Sequence, residues 1–154
     1  MKKVILVTAT TLTLLISIVF NASAQIIGKI TNNVPTITVD KPELIEGYTS
    51  NLNANSQLNA SFNNVEVVSS GENFYLIFRG DNIRSTLMVT KELGTDGIYF
   101  LMAVGKTSCT TTDCSQEATG CVPNWLSKAC DPCNNKGKCT RTTSSYSMIP
   151  NLTY

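Results

Sequence analysis

Residues 74–104 read FYLIFRGDNIRSTLMVTKELGTDGIYFLMAV, and this stretch decides the fold because three apolar runs alternate in it with two turns. The runs 74–79, 85–91 and 98–104 are rich in aromatic and β-branched residues, and Gly-Asp-Asn and Gly-Thr-Asp-Gly separate them. Such short turns favour antiparallel neighbours. The sequence therefore predicts an antiparallel β-meander, which a further strand at 65–68 precedes.

The strands at 74–79 and 98–104 are apolar at consecutive positions, so both of their faces carry apolar side chains. A sheet with one face in water would instead alternate apolar with polar residues. We therefore expect the second face to be covered by a helix at 41–52, by the cysteine-rich segment at 107–141 or by a partner subunit. The helix is the simplest of these three candidates.

Several signals predict that helix at 41–52. Asp40 can cap its first turn, Pro42 suits the first helical positions, and Glu43 lies three residues after the cap. Apolar residues then recur every four positions on one side of the helix, namely Leu44, Tyr48 and Leu52. Before it, an Asn-Asn turn precedes a short alternating strand at 36–39, and after it the Asn-rich stretch 53–64 reads as loop.

All the cysteines of the chain lie within one segment: Cys109, Cys114, Cys121, Cys130, Cys133 and Cys139. This segment has few large apolar residues, so packing cannot offset a backbone ordering cost of about 1–2 kcal/mol per residue. A disulfide that closes a loop of about 15 residues recovers roughly 3 kcal/mol. We therefore predict that the six cysteines form three disulfides, whose pairing stays open. The predicted fold class is mainly β or α+β: an antiparallel meander, one short N-terminal helix packed on it, and a disulfide-stapled C-terminal extension.

Two other readings of the cysteines are weaker. Two close pairs come near the spacing of a zinc site, but that site would leave Cys121 and Cys139 unused. The stretch Cys130-Asp131-Pro132-Cys133 resembles a redox pair, yet turn-forming residues follow it instead of a helix. The sequence predicts no metal and no cofactor. A metal- or thiol-dependent protein that uses Cys130 and Cys133 remains an alternative hypothesis.

Residues 1–24 have the pattern of a cleaved signal peptide. Lys2 and Lys3 precede an apolar run, and Ala22-Ser23-Ala24 supplies the small residues of a cleavage site. We expect a mature chain that begins at Gln25, is secreted or periplasmic, and has no stable membrane insertion. Loss of these two lysines, with no acid among the first 24 residues, changes the formal net charge from +1 to −1. Without any Lys/Arg run, this balance argues against a nucleic-acid partner.

The absence of histidine excludes Ser-His-Asp and Cys-His nucleophilic sites. Because the acidic residues also follow no recognisable motif, the sequence predicts no catalytic residue. Candidate binding residues are the single tryptophan, Trp125, and the Arg79-Gly80-Asp81 tripeptide, whose ordinary interpretation is a strand end and a turn.

These patterns together predict four parts of the chain and one kind of function. The parts are the signal at 1–24, a helix and sheet at 25–106, the cysteine-rich segment at 107–141, and a Ser/Thr-rich tail at 142–154. The predicted function is a secreted, non-catalytic binding or structural module with a protein or glycan partner. A second alternative to it is a secreted protease inhibitor that presents a loop between cysteines.

Overall fold

The computed structural model describes residues 25–103, 105–117, 120–124, 126–149 and 152, and the predicted signal peptide lies outside these ranges. Within these ranges one helix and ten strands follow one another: β1 (Gln25–Thr31), β2 (Val34–Ile37), α1 (Lys41–Ala54), β3 (Asn64–Ser70), β4 (Asn73–Arg79), β5 (Arg84–Leu93), β6 (Tyr99–Ala103), β7 (Thr107–Thr111), β8 (Val122–Pro123), β9 (Cys130–Asp131) and β10 (Thr140–Thr143). The pairing is antiparallel throughout, which confirms the predicted fold class.

The helix α1 begins as the sequence predicts. The Asp40 carboxylate accepts a hydrogen bond from the backbone N–H of Glu43 (2.9 Å), which satisfies one of the free donors of the first turn. The helix ends at Ala54 rather than at residue 52. Its buried residues are the three that the four-residue spacing singles out, namely Leu44, Tyr48 and Leu52.

The hairpin before the helix follows from its two asparagines. Asn32 and Asn33 both have positive φ, 51° and 63°, which is the conformation of the two central residues of a type I′ turn. Pairing therefore starts directly at Thr31 and Val34. In this register the second strand is Val34–Ile37 instead of 36–39. The residues before the turn, Gln25–Thr31, form the strand β1 that pairs with it.

The predicted meander is present, and β5 is its central strand. Along one side β5 pairs with β4, which in turn pairs with β3. The same first part of β5 pairs on its other edge with β7, so that Thr86 is the register partner of both Ile77 and Cys109, and the last part of β5, residues 90–93, pairs with β6. The strand β6 continues the sheet to β1 and β2, and β7 continues it to β10. Since β2 also returns to contact β3, the sheet approaches a closed barrel.

The sheet has two covered faces, and each has a different cover. Side chains that lie opposite one another on paired strands share a face. We call one face the helix face; it carries Leu76, Phe78 and Leu87 and forms the core with α1, where the Tyr48 ring stacks on Phe78 at 3.8 Å between centroids.

The other face, which we call the disulfide face, carries Ile77, Arg84, Thr86 and Cys109. The cysteine-rich segment covers it: Cys109 is disulfide-bonded to Cys130, and Arg84 donates hydrogen bonds to backbone carbonyls within the segment. The expectation that the second face is covered is therefore met by the cysteine-rich segment, while the helix covers the first face.

A buried hydroxyl network on the helix face should make the protein less stable at alkaline pH. Burial raises the pKa of Tyr48 from 10.0 to about 12, although hydrogen bonds to Ser108 and Ser85 oppose the shift. An unfolded tyrosine loses its proton near pH 10, whereas the folded one keeps it. Stability should thus be complete below pH 10 and fall by about 2–3 kcal/mol as the pH rises to about 12.

Urea unfolding of the wild type and of Tyr48→Phe between pH 9 and pH 11 measures this effect. Loss of the hydroxyl, which lies 2.7 Å from Ser85 Oγ, should cost about 0.5–1.5 kcal/mol at neutral pH. Above pH 10 the variant should lose less stability than the wild type. Parallel declines of the two proteins would show that Tyr48 is not the group responsible.

Candidate functional site

The six cysteines form three disulfides, Cys109–Cys130, Cys114–Cys133 and Cys121–Cys139, and none is free. Each cysteine of the first half of the segment is bonded to the corresponding cysteine of the second half. The three loops enclosed span 21, 19 and 18 residues, so the two halves of the segment are held side by side on the disulfide face. This pairing order is what the spacing of the cysteines could not reveal.

The pairing separates the two cysteines of the C-x-P-C stretch. Cys130 and Cys133 belong to different disulfides, so they are not partners in one redox-active bond. The sulfur atoms of Cys109, Cys130 and Cys139 do lie within 4.8 Å of one another. A metal ion, however, binds the thiolate form of cysteine, and all three sulfurs are in disulfides.

Arg84 is the largest fully buried side chain of the described residues. Its two terminal nitrogens donate hydrogen bonds to the backbone carbonyls of Glu117 and Gly120. Burial first, and the nearby Arg79 second, lower the pKa of Arg84 below its ordinary value. The guanidinium therefore acts as an anchor that ties the cysteine-rich segment to the disulfide face. No sequence signal indicated it, because a single arginine at a strand start looks like a surface residue.

The structure gives the Arg79-Gly80-Asp81 stretch the geometry of a turn. Arg79 forms an ion pair with Glu66 (2.7 Å) and donates to the carbonyl of Ser115 (2.9 Å), so its guanidinium is held against the disulfide face. Asp81 is exposed and accepts a hydrogen bond from Asn63 (3.2 Å). A Cβ at position 80 would overlap the carbonyl oxygen of Ser61, which explains why this turn needs glycine. The two charged side chains thus have local partners.

A groove of about 520 Å³ lies on the part of the disulfide face nearest to β8 and β9, and we call it the basic groove. Its floor is the sheet, through Met88, Thr90, Thr107 and Thr143 of β5, β7 and β10. Its wall is the hairpin that joins β8 to β9, through Pro123, Asn124 and Lys128. The cysteine-rich segment and the main sheet therefore form this groove together.

Three cations line the basic groove, and each comes from a different part of the chain. Lys106 lies just before β7, Lys128 on the wall hairpin and Arg141 on β10. All three are exposed, and none of the described residues that line the groove is acidic. Within the described part of the chain, no ion pair involves any of the three. The groove thus carries a concentrated positive charge that a ligand can neutralise.

The wall hairpin has a fixed shape. The Asn124 side-chain oxygen accepts hydrogen bonds from the backbone N–H groups of Leu126 (2.9 Å) and Ser127 (3.0 Å). The Asn124 amide nitrogen donates to the carboxylate of Asp131 (2.9 Å) on β9. The Cys109–Cys130 disulfide joins this hairpin to β7, which is part of the floor. The groove is therefore formed before a ligand arrives.

The candidate binding residues named from sequence have two different outcomes. Arg79 and Asp81 lie away from the basic groove, at the turn between β4 and β5. Trp125 lies outside the described residues, although its neighbours Asn124 and Leu126 are described. The sequence indicated none of the three groove cations as a site residue. The pairing of β7 with β10 brings Lys106 near Arg141, and the Cys109–Cys130 disulfide brings the hairpin of Lys128 onto the sheet.

The chain matches no protein-family model, and comparison with curated proteins and with solved structures gives no significant match either. Within the described ranges, no helix has the length and apolar character that a bilayer crossing requires. Three disulfides within one chain indicate an oxidising compartment. The class of protein that fold and site define is a small, disulfide-stabilised β module.

Proposed function

We propose that this chain is an exported, non-catalytic binding module and that the basic groove is its ligand site, for a protein or a glycan partner. The observation that carries the proposal is a preformed groove in which Lys106, Lys128 and Arg141 converge without acidic neighbours among the described lining residues. Small-ligand sites are concave, largely preformed and equipped with a few polar groups at fixed positions. The disulfides supply the rigidity that such a site needs.

Two alternative functions receive less support from the geometry. A metal- or thiol-dependent reaction at Cys130 and Cys133 needs free thiols, and both sulfurs are in disulfides. A protease inhibitor needs an extended loop that a protease cleft can bind. In the hairpin between β8 and β9, the N–H of Asn124 instead donates to the carbonyl of Ala129 (2.9 Å), which draws these two described residues together.

Blocking the groove tests the proposed site. Thr143 faces the groove, whereas Thr140 on the same strand lies outside it and is also exposed. We would screen oligosaccharides and peptides of both charges by thermal shift, with wild type, Thr143→Trp and the matched control Thr140→Trp. At a concentration of about 100 times Kd, a bound ligand should stabilise the wild type and the control by about 2.7 kcal/mol.

The same ligand should leave Thr143→Trp unshifted. Equal shifts in all three proteins would place the ligand outside the groove, and no shift with any ligand would remove the proposal.

N-terminal sequencing and thiol alkylation of the exported protein test the other part of the proposal, namely that the chain is exported and that its cysteines are in disulfides. A start at Gln25 and six blocked cysteines are expected, whereas reactive thiols at Cys130 and Cys133 would favour the thiol-dependent alternative.

A further inference from the structure

We infer that the basic groove binds an acidic oligosaccharide, a chain of sugars that carries carboxylate or sulfate groups. This inference rests on the proposed function and assigns its ligand class. Charge is the first argument. Lys106, Lys128 and Arg141 border one groove from three separate elements, so they can contact several negative groups spaced along one ligand. Ammonium and guanidinium groups form charge-assisted hydrogen bonds with such anions.

The floor of the groove is the second argument. Thr90, Thr107 and Thr143 bring hydroxyl groups that can both donate and accept hydrogen bonds, which matches the hydroxyl groups of a sugar ring. Met88 and Pro123 add apolar surface for the C–H faces of the same ring. The ligand that complements this lining is therefore polar, hydroxylated and negatively charged.

The position of the groove on the sheet favours a sugar over a peptide. Extended peptides gain much of their affinity by adding a strand to a free sheet edge. The floor strand β7 is already paired with β5 and β10, whereas β10, which contributes Arg141 and Thr143 to the groove, is the terminal strand of the sheet. An extended acidic peptide can therefore add a strand at the outer edge of β10, but within the groove the paired backbone of β7 offers it no ladder of hydrogen bonds.

Two exposed side chains with large apolar surfaces lie within a few residues of groove residues in the sequence. Leu126 is 88 % exposed on the wall hairpin between Asn124 and Lys128, and Tyr146 is 76 % exposed three residues after Thr143. The backbone around Tyr146 is held beside the groove, since Ser144 donates to the carbonyl of Lys106 (2.8 Å) and Met148 to that of Gly105 (3.0 Å). An exposed tyrosine at this place can stack on a sugar ring, as aromatic anchors do at binding surfaces.

Calorimetry with four defined probes tests the inference on the full mature chain. Hexagalacturonate supplies carboxylates, a heparin hexasaccharide supplies sulfates as well, maltohexaose is neutral, and hexaglutamate is an acidic peptide. Binding of at least one of the two acidic sugars is expected, with no binding of the other two probes. Which acidic sugar binds identifies the anionic group. Affinity should fall as salt is raised from 0.05 to 0.3 M, because ions screen exposed charges.

Charge-neutral variants locate the interaction. In Lys106→Gln/Lys128→Gln/Arg141→Gln the affinity should weaken roughly tenfold or more. The control Lys41→Gln/Lys136→Gln/Lys138→Gln loses the same charge at exposed positions outside the groove and should bind like the wild type. Equal weakening in both variants would reduce the effect to net charge and overturn the inference.

The outcomes separate the inference from the proposed function. If maltohexaose or hexaglutamate binds and Thr143→Trp abolishes that binding, the groove is a ligand site but its ligand is not an acidic sugar. If neither acidic sugar binds, the inference fails, and the wider screen decides the proposed function by itself. Binding of an acidic sugar that Thr143→Trp leaves unchanged would contradict both.

Discussion

Replacing all six cysteines by alanine should lower the free energy of unfolding by roughly 9 kcal/mol, because each bridge contributes about 3 kcal/mol. The bridges close loops of 21, 19 and 18 residues, for which the loop-closure terms are similar. The sum is comparable with the total stability of a domain, about 5–15 kcal/mol. The cysteine-rich segment should therefore lose its structure when the bridges are absent.

Hydrogen exchange read by mass spectrometry measures that loss. In the wild type, amides of β8, β9 and the loops around them should be protected, and after reduction they should exchange at the rate of an unfolded chain. A chelator must be present, so that a metal bound by the released thiols cannot replace the bridges. A segment that stays protected under these conditions would refute the role given to the disulfides.

Single-bridge variants add a positional control. Cys109→Ala/Cys130→Ala removes the bridge that joins the floor strand β7 to the wall strand β9, whereas Cys121→Ala/Cys139→Ala removes a bridge between residues that precede β8 and β10 and lie on neither strand. Because the loop lengths are similar, the stability losses should be similar. Ligand binding should decrease more in the first variant, and equal binding by both would mean that the wall does not need its bridge.

Replacing Arg84 by alanine should cost about 2–5 kcal/mol, because one buried carbonyl (Gly120) and one partly buried carbonyl (Glu117) would lose their hydrogen-bond donors. The side chain is fully buried, so its removal also leaves space on the disulfide face. Urea unfolding, with the midpoint and slope fitted together, measures this cost. The slope should stay unchanged if the variant keeps the same fold.

Arg79 provides the matched control, since it is the direct register partner of Arg84 on β4. Its side chain is 26 % exposed and its ion pair with Glu66 is open to solvent. Exposed ion pairs contribute about 0–1 kcal/mol, and the partly buried hydrogen bond to the Ser115 carbonyl adds about 0.5–1.5 kcal/mol, so Arg79→Ala should cost less than Arg84→Ala. Equal losses would show that the two carbonyl contacts of Arg84 have no special role.

Local signals accounted for the elements whose partners are close in sequence. The cap at Asp40 and the spacing of Leu44, Tyr48 and Leu52 located α1, because helix formation depends on residues three and four positions apart. The turns between β3, β4 and β5 located their hairpins for a similar reason. The strands β7 and β10 were not predicted. Their Thr-, Ser- and Cys-containing sequences carry little apolar alternation, and they become strands by pairing with β5 and with each other.

The candidate site was less predictable than the fold. The sequence indicated the six half-cystines, but it did not indicate Lys106, Lys128 or Arg141 as site residues. Lys106 and Arg141, the first and the last of these three cations, are 35 residues apart in the sequence. The three cations meet only because β7 pairs with β10 and because the Cys109–Cys130 bond brings the hairpin onto the sheet.

The sequence by itself determined that this chain forms an antiparallel sheet with one helix, and that its six cysteines form disulfides. Composition, spacing and turn residues act over a few positions, and those conclusions need nothing more. Only the tertiary structure decided which cysteines pair, why Arg84 is buried and where the basic groove lies. Each of these depends on contacts between residues that are far apart in the chain. Such contacts form only when the folded structure brings the residues together, so local sequence patterns do not reveal them.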